Sequence, residues 1–117
     1  MSAAADCVFC AIVAGTIPAD VVSRSEEIVV FRDIAPAAPV HLVAVPTRHV
    51  RDVSALSADD AGLLYALVAA ARTAAAHEDL AERGYRLVFN IGEDAGNTVP
   101  HLHLHVLGGR ALSWPPG

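Results

Sequence analysis

The chain has 117 residues and a mass of 12.2 kDa, which fits one domain spanning residues 1–117 and leaves no room for a second. Eight basic residues, all Arg, against thirteen acidic ones give a net charge of −5, and the longest apolar run, Leu63 to Ala71, is nine residues. That balance argues against bulk binding to nucleic acid, and the run is about half of what a membrane span needs.

Ala supplies 23 residues, so much of the 54% apolar content is small methyl groups, and aromatics are only 5%. A core this light leans on a metal or a partner chain. The first basic residue is Arg24, so no charged region of a secretory signal precedes it, and a cytoplasmic location is expected. Cys7 and Cys10 form a Cys-x-x-Cys pair, which in such a chain favours a metal or redox role over a disulfide framework. By itself the pair does not distinguish half a zinc site from a thioredoxin-like motif.

Helical spacing from Cys7 to Ala14, stopped by Gly15 and Pro18, predicts a short N-terminal helix. Val21–Ser23, Ser25–Glu27 and Ile28–Phe31 read as strand, turn, strand, and Asp33–Pro39 as a loop. Val40–Val45 is a strand ended by Pro46. Ser57 is a good N-cap for one long helix through Leu63, Leu64, Leu67 and Val68, ending before Gly84. Tyr85–Ile91 and His101–Leu107 are strands, separated by the loop Gly92–Asn97. Without regular β-α-β alternation, the order predicts an α+β fold on an antiparallel sheet.

Three of the six histidines fall in His101-Leu102-His103-Leu104-His105-Val106-Leu107. On a helix they would scatter around the axis; on a strand the period of two puts all three rings on one face. Random solvated histidines seldom alternate so strictly. Two chemistries suit such a row. In one, His103 attacks phosphorus and forms a covalent phosphohistidine, with its neighbours donating to the phosphoryl oxygens. In the other, the three rings hold a catalytic metal ion with an open water position. The glycines of the loop Gly92–Thr98 would let backbone amides approach a phosphate, and Asn97 and Thr98 can also donate.

The 101–107 segment resembles the H-φ-H-φ-H-φ-φ motif of the histidine-triad (HIT) nucleotide hydrolases and transferases. Gly108-Gly109-Arg110 and Trp114-Pro115-Pro116-Gly117 resemble the Hint branch, as do Phe31-Arg32-Asp33-Ile34, Pro39-Val40-His41, Pro46-Thr47-Arg48-His49 and Gly84-Tyr85-Arg86. The resemblance implies a HIT-like fold: a five-stranded antiparallel sheet, one long and one short helix, and a homodimer joining two sheets into one. It also implies hydrolysis of purine nucleoside phosphoramidates or adenylates to the nucleoside monophosphate, AMP or GMP, through a nucleotidyl-histidine.

Carried over by position, the resemblance makes His103 the nucleophile. His105 and His41 complete its hydrogen-bonding surroundings, and His101 stands beside the leaving group. Thr98, where Ser is usual, contacts phosphate or leaving nitrogen, with Gly96 and Asn97 in the same loop. Asn90 binds sugar or phosphate and Asp33 the ribose hydroxyls. Val8, Phe9, Phe31 and Ile34 form the base slot, and Trp114 lies near the site, from either chain of the dimer. Bacterial relatives often carry a structural zinc, and here Cys7, Cys10, His49 and His101 would supply its Cys₂His₂ set. A zinc ligand cannot also donate a proton, so that assignment conflicts with a leaving-group role for His101. His77, beside Glu78 and Asp79, is expected in solvent. No organic cofactor, nucleic acid or membrane partner is expected. A nucleotide-binding regulatory protein with incidental turnover is the alternative to the hydrolase, and a three-histidine metal hydrolase is a third.

Overall fold

The computed structural model describes residues 6–117, leaving the first five residues of the expected domain outside. Helix α1 (Val8–Ala14) is followed by strands β1 (Val21–Arg24), β2 (Ile28–Arg32) and β3 (Val40–Pro46). Two short 3-10 turns lead into helix α2 (Ala61–His77), and strands β4 (Tyr85–Val88) and β5 (Leu104–Gly108) complete the fold. The five strands form one antiparallel sheet in the order β1-β2-β3-β5-β4. No helix among the described residues is long and apolar enough to cross a membrane.

Strand alternation divides the sheet into two faces. Ile28, Val30, Leu42, Ala44, Leu104 and Val106 face α2, which packs Leu67, Ala71, Ala74 and Ala75 against them. Those helix positions recur every three or four residues, and three of the four are Ala, so the helix lies close to the sheet. Val29, Phe31, Val43 and Val45 face the other way, where Ile12 of α1 packs with Phe9 and Val13. The registers Val43↔His105 and His41↔Leu107 put His41 and His105 on this second face, beyond the part that α1 covers.

Three boundaries differ from the sequence reading by more than one residue, each for a local reason. β5 starts pairing at Leu104 rather than His101. Continued past Ala44↔Leu104, the register would reach Pro46, which has no N–H and whose carbonyl accepts a bond from the His101 ring. β4 stops at Val88 rather than Ile91, because Val88 pairs with His105 near the start of β5. The long helix opens with a 3-10 turn at Ala58–Asp60, where Ser57 and Asp60 form a capping box, and it ends at His77. There the chain turns through Asp79 at φ 62°, with the Leu80 amide bonded back to the Ala75 carbonyl and Leu80 returned to the core.

Candidate active site

The extended approach to β5 keeps the alternation although its first residues are unpaired. Leu102, Leu104 and Val106 stay in the α2-side core, and the three histidines point to the opposite face. The rings do not converge. His101 turns toward α1, His105 toward β3, and His103 stands between, 5.0 Å from the His105 ring centroid. One metal ion bound by all three histidines does not fit this arrangement, and among the described residues neither cluster of metal-ligating groups contains His103.

The first cluster is Cys7, Cys10, His49 and His101, whose donor atoms all lie within 4.8 Å of one another. His101 Nδ1 is 3.3 Å from Cys7 Sγ and 3.4 Å from Cys10 Sγ, and His49 Nδ1 is 3.1 Å from Cys10 Sγ. Edges of a tetrahedron around zinc with N and S ligands measure roughly 3.3–3.8 Å, so these three contacts are already close to the ligand spacing around one ion. The outer partner of His101 agrees: Nε2–H donates to the Pro46 carbonyl at 2.9 Å, which leaves the Nδ1 lone pair for a ligand bond. Burial and the adjacent Cys7 thiol push the Cys10 thiol up to about 11, so without a cation that thiol stays protonated. α1 supplies both thiols because Cys7 is its N-cap, its sulfur accepting the Cys10 amide at 3.4 Å.

With both ring nitrogens engaged and no exposed surface, His101 does not face a leaving group, as one expectation had it. Its carbonyl is turned to other use. His103 Nδ1–H donates to it at 2.7 Å, which leaves Nε2 as the nitrogen that can carry a lone pair.

The second cluster is Asp33, His41 and His105. The Ala37 amide donates to His41 Nδ1 at 3.0 Å, so the proton of the neutral ring sits on Nε2. That nitrogen is 2.8 Å from His105 Nδ1 and 3.5 Å from an Asp33 carboxylate oxygen. His105 Nδ1 therefore accepts, and its own proton sits on Nε2. The two clusters share a pair of histidines but are opposite in wiring. A metal on the second would need the Nε2 lone pair of His41, which the Ala37 amide denies it. Burial, reinforced by His103 and His41, pushes His105 down to about 4; burial also lowers His41, against the pull of Asp33. Near neutral pH both rings are uncharged donors.

The remaining expected residues are distributed unevenly. Phe9 packs edge-on against Phe31 at 5.5 Å and His103 at 5.1 Å, making an apolar wall beside the nucleophile candidate, with Val8 partly exposed at its end. Asn90 stands two residues beyond Val88, the partner of His105. Gly96 and Thr98 are exposed on the loop before His101, and Asn97 Oδ1 accepts the Val99 amide. Ile34, 97% exposed, and Trp114, 83% exposed, pack against nothing that would make a slot. The groups missed from sequence are main-chain ones: the Ala37 amide and the His101 and Pro46 carbonyls. No side-chain pattern announces them.

A family model described as scavenger mRNA decapping enzyme C-term binding matches residues 6–113. An uncharacterized HIT-like protein of Synechococcus elongatus is 44% identical over 112 residues, 96% of this chain and 97% of that protein. The crystal structure of a HIT family hydrolase from Legionella pneumophila superposes with a TM-score of 0.93 at 47% identity, covering 95% of this chain and 99% of that one. A HIT family hydrolase from Clostridium thermocellum gives 0.90 at 39% identity, covering 92% and 94%. With the alternating histidines, their tautomers and this sheet, these matches establish that the chain belongs to the histidine-triad (HIT) family.

Proposed function

We propose that the protein is a hydrolase of purine nucleoside 5'-phosphoramidates or adenylates, of the Hint type, acting through a nucleotidyl-histidine. One observation carries the reading: His103 Nδ1–H donates to the His101 carbonyl, which leaves Nε2 as the nitrogen that can present a lone pair. That nitrogen attacks the α-phosphorus as the bond from phosphorus to the leaving nitrogen or oxygen breaks. The leaving group takes a proton, for which we assign the Thr98 hydroxyl with solvent behind it. Nε2–H of His105 donates to a non-bridging oxygen, and His41 holds that ring in its donor tautomer. Water then cleaves the bond from phosphorus to His103, releasing the monophosphate and restoring the ring.

In this reading Phe9, Phe31, Val8 and Ile34 take the purine, Asp33 the ribose hydroxyls and Asn90 the sugar or phosphate. Gly96 and Asn97 line the phosphate side. Ile34 and Trp114 need a partner chain or a bound nucleotide to cover them, which accords with a homodimer. Cys7, Cys10, His49 and His101 would hold a zinc ion; when bound it supplies cross-linking of α1 to the sheet, not chemistry.

Mixing the protein with an AMP-amine phosphoramidate and reading intact mass tests the proposal. The expected result is an AMP adduct on His103 and release of free AMP, with His103→Ala losing the adduct and at least about a thousandfold in turnover. Tight AMP binding with neither adduct nor turnover would sink the hydrolase and leave a nucleotide-binding module.

A further inference from the structure

The donor tautomers of His41 and His105 trace back to one amide, Ala37 N–H, on the exposed loop that joins β2 to β3. That loop has few anchors. The Asp33 amide bonds to the His41 carbonyl at 2.9 Å, and Asp33 Oδ1 accepts the Ala35 amide at 2.8 Å. The first ties the two ends of the loop together at its base, and the second lies at its start. The far end is held by the segment that leaves β5. Gly109 has φ 91°, and a Cβ placed on it would stand 2.9 Å from Pro39 Cβ, so the chain passes against the loop as only glycine can. The next residue, Arg110, donates from Nη2 to the Ala37 carbonyl at 3.1 Å and from Nη1 to the Ala111 carbonyl at 3.0 Å.

We propose that Arg110, assisted by Gly109, is a positioning residue for the His41–His105 pair: by holding Ala37 it decides which nitrogen of each ring carries the proton. The order of contacts is Arg110 to Ala37 carbonyl, Ala37 amide to His41 Nδ1, His41 Nε2 to His105 Nδ1. Without the Ala37 amide in place, His41 can carry its proton on Nδ1 and accept at Nε2. His105 then donates from Nδ1 and turns a lone pair, not an N–H, toward the substrate phosphate. The second end of the relay changes from attraction to repulsion. Asp33, 3.5 Å from His41 Nε2, still favours a proton on Nε2, so losing Arg110 mixes the tautomers rather than inverting them. The kinetic consequence rests on the phosphoryl-transfer reading; the tautomer consequence does not.

Long-range proton–nitrogen spectra of the imidazoles near neutral pH read the tautomers directly, with no substrate present. The wild type should show Nε2 protonated in both rings, and Arg110→Ala should show a mixture, with Arg110→Lys in between. On an AMP-amine phosphoramidate, Arg110→Ala should lower kcat about three- to tenfold with KM nearly unchanged, the scale of one exposed hydrogen bond. Arg110→Lys should recover part of it. Gly109→Ala, which displaces Pro39, should shift the tautomers the same way, and the backbone amide spectrum identifies any variant that has simply lost its fold. Unchanged tautomers in a folded Arg110→Ala protein would overturn the inference, as would shifted tautomers with wild-type kcat. A wild type with the expected tautomers but no nucleotidyl adduct would instead remove the hydrolase reading and leave this inference standing.

Discussion

At the scale of single residues, three of the six histidines are set by what main-chain groups do to their rings. A carbonyl fixes Nε2–H on His101 and Nδ1–H on His103, and an amide fixes the acceptor on His41. The alternation in sequence gave away the face but not the wiring, because an amide or carbonyl partner has no residue type to read. The clash between two roles for His101 was legible beforehand, since a ligand nitrogen cannot be an acid; the Pro46 carbonyl at its other nitrogen removes the second role. Burial also sets a pH dependence. His105 is pushed down to about 4, and His41 and His101 are lowered too. The folded chain keeps these rings neutral where the unfolded chain, below about pH 6.5, takes up protons. Stability is therefore full above that pH and declines as the solution is acidified toward about pH 4. In His105→Asn the amide oxygen can still accept from His41, but nothing there titrates. Thermal melts from about pH 7 to about pH 4.5 should show a shallower fall in Tm for that variant. An equal or steeper fall would show that the His105 environment does not hold the ring neutral.

Among the elements, α1 shows most plainly what sequence could and could not reveal. Its span was readable from Cys7 to the Gly15 stop, and the structure adds only that Cys7 caps the helix with its own sulfur. The end of α2 was not readable, because Asp79 takes the left-handed position that Gly84 seemed to offer, and the buried Leu80 makes the turn worthwhile. Strand ends were missed for a related reason: β5 begins to pair only past the point that Pro46 of β3 faces, and β4 stops opposite the start of β5, which no window within β4 or β5 contains. Seven residues are too few for a helix to persist by itself. α1 is held by Ile12, Phe9 and Val13 against the sheet and by the two thiols against His49 and His101. With the proposed zinc in place, chelation or Cys10→Ser should raise amide exchange in α1 by at least about tenfold, while β2, β3 and the α2 core stay protected. His103 would follow more weakly, since its Nδ1 is bonded to the His101 carbonyl. Uniform exchange across the sheet would show the cluster to be part of the global core, and no change would show that apolar packing alone holds the helix.

For the whole molecule, the sheet has two edges, and they are not equivalent. β1 is interrupted by an irregularity between Val21 and Ser23, and Arg24 reaches across to the Val13 carbonyl of α1, both of which blunt it as a pairing surface. β4 pairs regularly with β5 on one side and leaves its outer side open, with Leu87 partly exposed on it and Ile91 exposed just past its end. If two copies join their sheets, as we propose, β4 is the edge whose geometry permits it. Such a union would also account for a light core with 5% aromatics, and for the exposure of Trp114 when one chain is considered alone. Sedimentation equilibrium should then give twice 12.2 kDa. Leu87→Lys, which puts a charge on that edge, should shift the species to the single-chain mass, whereas Ser23→Lys on the opposite edge should not. If the β1 variant alone dissociates the pair, the junction lies at the other edge; if the wild type sediments as one chain, the joined sheet is ruled out and only a bound nucleotide is left to cover Ile34 and Trp114.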